Sequence, residues 1–365
     1  MKEDCAPDPV GPSRPNSRAS SPVQRATLGE KRFSPSKLVA LIEVTSGAGL
    51  DPHDVLCGTG LDPAAIANPF TLTSTQQFLT AARNAIHQYP GSDLGIRVGG
   101  MLHASSYGMF GYAALCAETM AHAFDSAVKF HRLANGVIGI GWDKQGDTAS
   151  WHFPAYEEVV LPEPGTQLYD FLIDMQFALH VTVIKDVMGA WCVPVQAQFT
   201  REQPAHVSLL AETLGCRVAF GQPMNVLSYP AAWLQRAPQL AHPITAAQVS
   251  RQCAQLLEDL RSRSEITERV YHELTRTPGR FPELDTLAEA LCMTTRTLRR
   301  KLEAAGTAYS ELLTSVRRAL AIDYLTTTTL GIDDIASALG FSDAVSFRHA
   351  FKRWTKRNPT DFRRK

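Results

Sequence analysis

Hydrophobic positions in the last quarter of the chain follow one pattern twice. Residues 284–302 (LDTLAEALCMTTRTLRRKL) and 332–351 (IDDIASALGFSDAVSFRHAF) are rough copies of each other. With an offset of 48 the matched pairs are Leu287 with Ile335, Ala288 with Ala336, Leu291 with Leu339, and Thr294 with Ser342. The offset then becomes 49, and the pairs are Leu298 with Phe347 and Leu302 with Phe351. Apolar residues at helical spacing on both sides of a short break predict a helix-turn-helix in each copy.

Both predicted turns lead into a helix with a basic outer surface. Thr294 and Ser342 each have a side-chain oxygen that can cap a helix N-terminus, and Gly340 permits a left-handed turn. Basic residues at the polar positions of the second helices are Arg296, Arg299, Arg300 and Lys301 in the first copy and Arg348, His349, Lys352 and Arg353 in the second. Such a helix reaches base edges and phosphates in the major groove of DNA.

The segment between the copies predicts one long helix. Residues 308–327 contain no Gly or Pro and have apolar residues at Leu312, Leu313, Val316, Leu320, Ile322 and Leu325. A helix of about 20 residues spans roughly 30 Å, close to the ~34 Å between successive major-groove faces on one side of DNA. A single basic amphipathic helix is more often a solvated surface than a DNA-reading element. Two copies joined by a connector of this length favour DNA binding.

Helices and strands alternate between residues 34 and 244. Helical spacing predicts a capped helix from Ser34 to Gly47 and Gly49, and further helices at 75–88, 107–117, 122–134 and 166–188 and near 204–214. Residues 137–153 alternate apolar and polar side chains around Gln145, Gly146 and Asp147, which predicts a β-hairpin. Further strands are predicted at 193–200 and 217–221. This mixture is typical of an α+β domain with a small antiparallel sheet.

These patterns divide the chain into four parts. Residues 1–33, rich in Pro, Ser and Arg, predict a disordered tail, which is more often a solvated extension than a DNA contact. Residues 34–244 form the predicted α+β domain, and residues 281–365 form an all-α domain with two helix-turn-helix motifs joined by a long helix. Residues 245–280 predict a helical connector, a candidate dimer contact, that continues from Ile266 as the first helix of the all-α domain.

Charge is distributed unevenly along the chain, although the formal net charge of the 365 residues is zero. Residues 281–365 carry 14 Lys and Arg against 10 Asp and Glu, whereas residues 34–244 carry 10 against 17. Only the C-terminal part therefore has the electrostatics expected of a phosphate binder.

Composition argues against several other classes of protein. The seven cysteines are scattered without a CxxC pair, which disfavours a disulfide framework or a zinc knuckle and is typical of a reducing cytoplasm. The chain has no run of about 18 apolar residues and no apolar core of a secretory signal. It also lacks G-x-S-x-G, Gly-rich phosphate-loop and H-E-x-x-H motifs, so no enzyme activity, metal or cofactor is expected. We expect a cytoplasmic, nucleoid-associated protein without a membrane partner.

The C-terminal residues from about 245 resemble the DNA-binding domain of the AraC/XylS family of bacterial transcription regulators. The segment 340–364 (GFSDAVSFRHAFKRWTKRNPTDFRR) is especially similar to the family's C-terminal signature. Matched position by position, the resemblance implies DNA contacts at Thr295, Arg296, Arg299 and Arg300 in the first recognition helix and at Ala344, Ser346, Arg348 and His349 in the second. Two departures stand out: Cys292 replaces the usual turn glycine, which predicts strain, and Ala344 has no hydrogen-bonding group.

The N-terminal residues from about 35 to 230 are similar to the effector-binding domain of one branch of this family, often labelled arabinose-binding-like. Residues 110–142 and 215–234 carry this likeness. Related members are associated with small metabolites, including amino acids such as ornithine, and nothing in this sequence selects one. Aromatic residues with polar groups suit a small-molecule pocket, although they are more often plain core. The candidates for effector contacts are Tyr107, His131, Trp142 and Trp151.

Taken together, the sequence predicts a transcription regulator, an activator, that binds double-stranded promoter DNA as a homodimer and responds to a small-molecule effector. The resemblance also implies RNA polymerase as a partner. One alternative is a regulator that needs no ligand and uses its N-terminal domain only to dimerise. A DNA-repair protein with this type of helix-turn-helix is a third possibility, but it would require a metal-held or reactive cysteine, and the cysteine spacing argues against it.

Overall fold

The computed structural model describes residues 28–159, 165–276, 279–355 and 357–363. Its N-terminal part is α+β and its C-terminal part is helical, as the sequence predicts. The N-terminal helices are α1 (Ser36–Gly47), α2 (Pro52–Val55), α3 (Pro63–Ala67), α4 (Thr75–Gln88), α5 (Leu94–Gly100), α6 (Met109–Leu115), α7 (Met120–Phe130), α8 (Thr166–Met188) and α9 (Val207–Leu214). Short 3-10 turns lie at Ala104–Tyr107, His131–Ala134, Tyr156–Glu158 and Ala231–Trp233.

Helix α8 is the centre of the N-terminal core. It is apolar around most of its circumference, so it is stable as a helix only when other elements cover it on several sides. Helix α5 covers one side at very close range, because a Cβ atom at Gly95 would lie 2.4 Å from the carbonyl oxygen of Phe171 and one at Gly99 would lie 2.3 Å from that of Met175. The two glycines, one turn apart, therefore let the helix backbones touch.

A five-stranded sheet covers another side of α8. Its strands are β1 (Gly141–Gln145), β2 (Thr148–Phe153), β3 (Gln196–Gln198), β4 (Arg217–Ala219) and β5 (Asn225–Pro230), in the order β1-β2-β5-β3-β4. The hairpin is confirmed, with Gln145 opposite Thr148 across the turn. Alternate residues of β2 are buried, and Phe153 packs on Phe177 of α8 with ring centroids 4.7 Å apart.

The sheet differs from the sequence prediction in two ways. It is mixed rather than antiparallel, because β3 and β4 run parallel. Helix α9 lies between these two strands in sequence and supplies the crossover that a parallel pair requires. The second difference is β5, which was not predicted; it pairs with both β2 and β3, and its first three residues are buried, so it lacks the alternation that marks a half-exposed strand.

The predicted disordered tail, residues 1–33, is wrong at its C-terminal end. Residues 1–27 lie outside the described residues, but residues 28–33 belong to the fold. Phe33 is only 7% exposed and pairs with Thr73 through backbone hydrogen bonds in both directions. The buried Phe33 side chain thus holds this segment on the domain. The Pro, Ser and Arg content of the neighbouring residues does not predict this burial.

One helix, α10 (Pro243–Arg276), joins the two parts of the molecule without interruption over 34 residues. Near its start, Val249, Cys253 and Leu257 pack in a buried cluster with Ala113 of α6 and Phe130 of α7. Its last third packs in the C-terminal core through Ile266, Val270, Tyr271 and Leu274. About two and a half helical turns separate Leu257 from Ile266, so these two side chains lie on opposite sides of the helix.

The C-terminal core contains both predicted helix-turn-helix motifs. Its helices are α11 (Leu284–Ala290), α12 (Thr295–Ala304), α13 (Tyr309–Thr327), α14 (Ile332–Ala338) and α15 (Ala344–Thr355), followed by a 3-10 turn at Pro359–Phe362. Every apolar position matched between the two copies is buried, from Leu287 and Ile335 to Leu302 and Phe351. The connector α13 is one helix of 19 residues, about 28 Å long, as expected.

The cap of the second motif is Asp343, not Ser342. The Ser346 N–H donates to Asp343 Oδ1 at 2.6 Å, just as the Thr297 N–H donates to Thr294 Oγ1 at 3.2 Å in the first motif. The extra residue of the second copy therefore lies before the cap, and the offset of 49 already applies there. At α1 the N-cap position is Pro35, which has no side-chain bond to the helix, while Ser34 Oγ accepts from the Ser36 N–H at 3.3 Å.

Cys292 has the strained backbone that its position predicts. Its φ angle is +57°, close to the +71° of Gly340 at the equivalent turn. The first turn therefore has the same left-handed shape as the second, and a Cβ atom in this region costs roughly 1–2 kcal/mol.

We expect Cys292→Gly to stabilise the protein. Relief of this strain, reduced by the extra freedom that glycine gives the unfolded chain, should raise the free energy of unfolding by about 0.5–1 kcal/mol in urea titrations followed by circular dichroism. Gly340→Ala should lower it by about 1 kcal/mol, because the new Cβ would be strained and would lie 3.3 Å from the carbonyl oxygen of Gly279. Cys292→Ala is the control that keeps the Cβ. If it stabilises as much as Cys292→Gly, backbone strain is not the cause.

Candidate DNA interface and ligand cavity

The first recognition helix, α12, presents its basic residues to solvent. Leu298 and Leu302 are buried and fix which face of the helix is covered. Arg296, Arg299, Arg300 and Lys301 are exposed and form no hydrogen bond or ion pair with another residue that the structure describes. Their guanidinium and ammonium groups are therefore available to phosphates and base edges.

Thr295 is placed differently from the arginines. It is partly buried at the start of α12, and its hydroxyl donates to Asp285 Oδ1 at 2.6 Å. This bond joins the two helices of the first motif. A DNA contact by the Thr295 hydroxyl would have to share or replace it.

The second recognition helix, α15, also has an exposed basic face. Phe347 and Phe351 are buried, and Arg348, His349, Lys352 and Arg353 are exposed around them. The Ser346 hydroxyl donates to the Asp343 carboxylate at 3.1 Å, and the backbone N–H of Ser346 holds the pKa of that carboxyl below its usual range. The carboxylate is thus charged at neutral pH, and it offsets part of the positive charge at the start of α15.

Ala344 is not available to DNA in this structure. The family resemblance implies a contact at this position, but the side chain is 9% exposed and packs in the C-terminal core. Ala344 is the first residue of α15, directly after the cap, and its methyl group packs against the buried residues of the motif. The residues of the second motif that are exposed for a DNA contact are therefore Ser346 and the basic residues that follow it.

A cavity of about 60 Å³ lies inside the N-terminal domain, between α6, α7 and α8. Three of the four predicted effector residues line it: Tyr107, His131 and Trp151. The fourth, Trp142, does not; its ring packs edge-on against Phe124 at 5.3 Å between centroids, and its Nε1–H donates to Asp125 Oδ1 at 3.1 Å. Most of the other lining side chains are apolar, among them Phe110, Ala114, Leu179, Val183 and Ile184.

Sequence reasoning missed three polar residues of the cavity: Lys37, Gln176 and His180. All three are buried, Lys37 on α1 and the other two on α8. The one sequence signal for Gln176 and His180 is that two polar residues interrupt a run of apolar positions on α8. Nothing in the local pattern marks Lys37, because it reaches the cavity only through the packing of α1 on the domain.

Burial controls the ionisation of the cavity's basic groups. It lowers the pKa of His131 to about 4 and that of His180 to about 3, so both imidazoles are neutral at neutral pH. His131 Nε2–H donates to the carbonyl oxygen of Ile138 at 2.7 Å, and His180 Nδ1–H donates to that of Gln176 at 2.8 Å. Burial also lowers the pKa of Lys37 to about 8, and its Nζ donates to the carbonyl oxygen of Asn135 at 2.9 Å.

Two further donors in the lining have no partner among the described residues. These are the hydroxyl of Tyr107 and the indole Nε1–H of Trp151, both buried. Buried polar groups are nearly always hydrogen-bonded, so each unpaired group needs an explanation such as water or a ligand.

Neither a metal site nor a membrane span is present in the described part of the chain. No group of three or more His, Cys, Asp or Glu side chains there is arranged to hold a metal ion. No helix there is both long and apolar enough to cross a membrane.

Comparison with protein families matches both parts of the chain. Residues 49–238 match the model of the arabinose-binding N-terminal domain of AraC transcription regulators, and residues 287–365 match a helix-turn-helix domain. The chain is 31% identical to the ornithine utilization regulator of Pseudomonas aeruginosa over 328 residues, which are 89% of this chain and 94% of that protein.

Two other relatives are similar over different extents. The urease operon transcriptional activator of Escherichia coli is 35% identical over 94 residues, which are 26% of this chain and 32% of that protein. Among solved structures, the transcriptional regulator CdpR from Pseudomonas aeruginosa is 21% identical and covers 90% of this chain and 97% of its own, with a TM-score of 0.45.

We expect Arg299→Ala to weaken binding to a specific operator by roughly 1–3 kcal/mol if the side chain makes a bidentate base contact. The loss should be larger on operator DNA than on random DNA of the same length, measured by fluorescence anisotropy at fixed salt. Arg217→Ala is the control, because Arg217 is an exposed arginine on β4, far from α12 in sequence and in the other domain. Equal losses on both DNAs would mean that Arg299 contacts only phosphate.

Proposed function

We propose, because the chain belongs to the AraC family of transcription regulators, that it activates transcription from specific promoters in response to a small molecule bound in its N-terminal cavity. Membership in this family makes it a DNA-binding regulator, and its relatives carry names of regulators rather than of enzymes. The activator role is supported by the name of one relative, the urease operon activator. Promoter binding would place the protein at the nucleoid, in the cytoplasm.

The DNA-binding part of this proposal rests on one observation, which is that two helices of the chain expose basic faces to solvent. On α12 and α15 the exposed arginines and Lys352 have no partners among the described residues, whereas the apolar residues of the same helices are buried. We propose that Arg296, Arg299, Arg300, Ser346, Arg348, His349 and Lys352 contact the DNA, and that the hydroxyl of Thr295 does so only after leaving Asp285. The separation by α13 suits two successive major grooves.

The observation that supports an effector response is the position of α6. Phe110, Gly111 and Ala114 line the cavity, whereas Ala113 packs on α10 beside Val249 and Cys253. One short helix therefore touches both the cavity and the long connecting helix. A ligand that changes the position of α6 would act directly on the helix that continues into the DNA-binding domain.

Polar contacts also link the N-terminal part to the DNA-binding domain. The Thr267 hydroxyl of α10 donates to Glu30 Oε1 at 2.7 Å, and Arg318 of α13 donates to Gln76 Oε1 at 3.4 Å. These bonds favour one orientation of the two domains. We propose that the ligand alters the balance between this orientation and others, in a homodimer that recruits RNA polymerase.

The proposed function is tested by DNase footprinting and in vitro transcription with purified bacterial RNA polymerase. The full chain should protect a two-part site upstream of its own gene or of neighbouring genes and should raise transcript yield from that promoter. A small molecule from the same metabolic neighbourhood should change either result. Protection without any effect on transcription would contradict the activator role.

We expect Leu257→Ala to uncouple the two domains. Leu257 is buried against α6 and α7, so its truncation should weaken their contact with α10. The operator affinity of the full-chain variant should then move toward that of the fragment 264–365. We expect this fragment to fold alone and to bind DNA with strong salt dependence. Leu256→Ala is the matched control, because Leu256 is 46% exposed. The coupling model fails if both variants shift operator affinity equally or if the fragment already binds like the full chain.

A further inference from the structure

Lys37 is an unusual residue to find in the lining of an apolar cavity. Its side chain is 6% exposed, and no carboxylate among the described residues forms an ion pair with it. Its ammonium has one hydrogen bond, to the carbonyl oxygen of Asn135, and lies 5.8 Å from the ring centroid of Phe78. Lysines are almost never fully buried unless they are paired. Two of the three N–H donors of Lys37 thus have no acceptor among the described residues.

The ammonium keeps its charge at neutral pH in spite of burial. Its pKa of about 8 is low for a lysine, because the apolar surroundings penalise the charged form, but it is still above 7. The nearby imidazoles of His131 and His180 are neutral, so they neither compensate this charge nor add to it. The cavity therefore contains one fixed positive charge.

The other unpaired groups of the lining are also donors. The Tyr107 hydroxyl and the Trp151 indole N–H are buried without a partner in the described residues, and both belong to residues that line the same cavity. A carboxylate accepts up to about four hydrogen bonds. It would satisfy these donors and the charge of Lys37 with one group.

The lining limits the rest of the ligand. It contains no aspartate or glutamate, so an ammonium group on a ligand would find no opposite charge there. The cavity is small, with a volume of about 60 Å³, so it admits only a ligand of a few heavy atoms. The remaining part of the ligand is thus short and apolar, in keeping with Ala114, Leu179 and Ile184 around it.

We propose that this cavity binds a short aliphatic monocarboxylate, whose carboxylate pairs with the Lys37 ammonium and accepts from Tyr107 and Trp151 while its hydrocarbon part lies among the apolar side chains. The inference rests on the proposed effector response and names its chemical class. The inferred ligand differs from ornithine, which the name of one relative mentions, because the lining offers no carboxylate for the two amino groups of ornithine.

The test is isothermal titration calorimetry and thermal unfolding of the full chain with sodium butanoate, butanamide and L-ornithine. Butanamide has the same shape as butanoate without the charge. Butanoate should raise the unfolding temperature and bind about tenfold more tightly than butanamide, and ornithine should not bind at millimolar concentration. Equal binding of butanoate and butanamide, or no binding of butanoate at millimolar concentration, overturns the proposal.

Two variants locate the charge that is recognised. Lys37→Met keeps the length of the side chain and should reduce butanoate binding to the level of butanamide, while Lys144→Met, an exposed lysine on β1, should bind like the unmodified protein. Tyr107→Phe removes only an unpaired hydroxyl, so it should fold and bind butanoate a few-fold more weakly. If Lys37→Met and Tyr107→Phe both bind butanoate as tightly as the unmodified protein, the proposed site is wrong.

Operator affinity, measured in the same samples, separates this proposal from the proposed function. Butanoate that binds through Lys37 without changing operator affinity supports the carboxylate site and contradicts the effector response. Butanamide or ornithine that binds in the cavity more tightly than butanoate and changes operator affinity overturns the carboxylate site and leaves the effector response standing.

Discussion

Helix α10 is the constraint on which the rest of the structure depends, because its residues belong to two hydrophobic clusters. Val249, Cys253 and Leu257 pack against the N-terminal domain, and Ile266 begins the stripe that packs in the DNA-binding core. A helix of 34 residues is about 51 Å long, and each of its turns is fixed relative to the next by backbone hydrogen bonds. The two domains therefore cannot rotate independently unless one of these contacts breaks or the helix bends.

The position of α10 also links the proposed ligand cavity to the proposed DNA-reading helices. Helix α6 touches both the cavity and α10, since Ala114 lines the cavity, Ala113 packs in the cluster with α10, and Phe110 does both. At the other end, Arg269 of α10 donates to the carbonyl oxygen of Leu291 at 3.2 Å, in the turn region of the first helix-turn-helix. The described contacts thus form one packed route from the proposed ligand cavity to the first helix-turn-helix.

The C-terminal half could be predicted from sequence because its determinants are local and repeated. Apolar residues at helical spacing predict both motifs and the connector, and Cys292 at a glycine position predicts a strained turn. The cap was misplaced by one residue, because Ser342 and Asp343 are both good caps and only the backbone decides between them. Ala344 was matched by resemblance to a DNA contact, and its burial became visible only with the packing of α15.

The N-terminal half was less predictable because its determinants come from distant parts of the chain. Helix α4 was predicted at its correct bounds, but β5 was missed since a central strand has no polar alternation. The cavity combines Lys37 of α1, Tyr107 of a 3-10 turn and His180 of α8, which no local pattern brings together. Trp142, a candidate that lies between His131 and Trp151 in sequence, is outside the lining and packs on Phe124 instead.

We infer that α10 couples the two domains energetically, and differential scanning calorimetry can measure this coupling. Replacing Asp259 and Leu260 by glycine weakens the helix between its two clusters by about 1 kcal/mol per residue relative to alanine, whereas replacing both by alanine removes the same side chains and keeps the helix. The account predicts one cooperative unfolding transition for the unmodified protein and for the alanine pair, and two resolved transitions for the glycine pair. Two independent transitions in the unmodified protein, or one unchanged transition in the glycine pair, would contradict it.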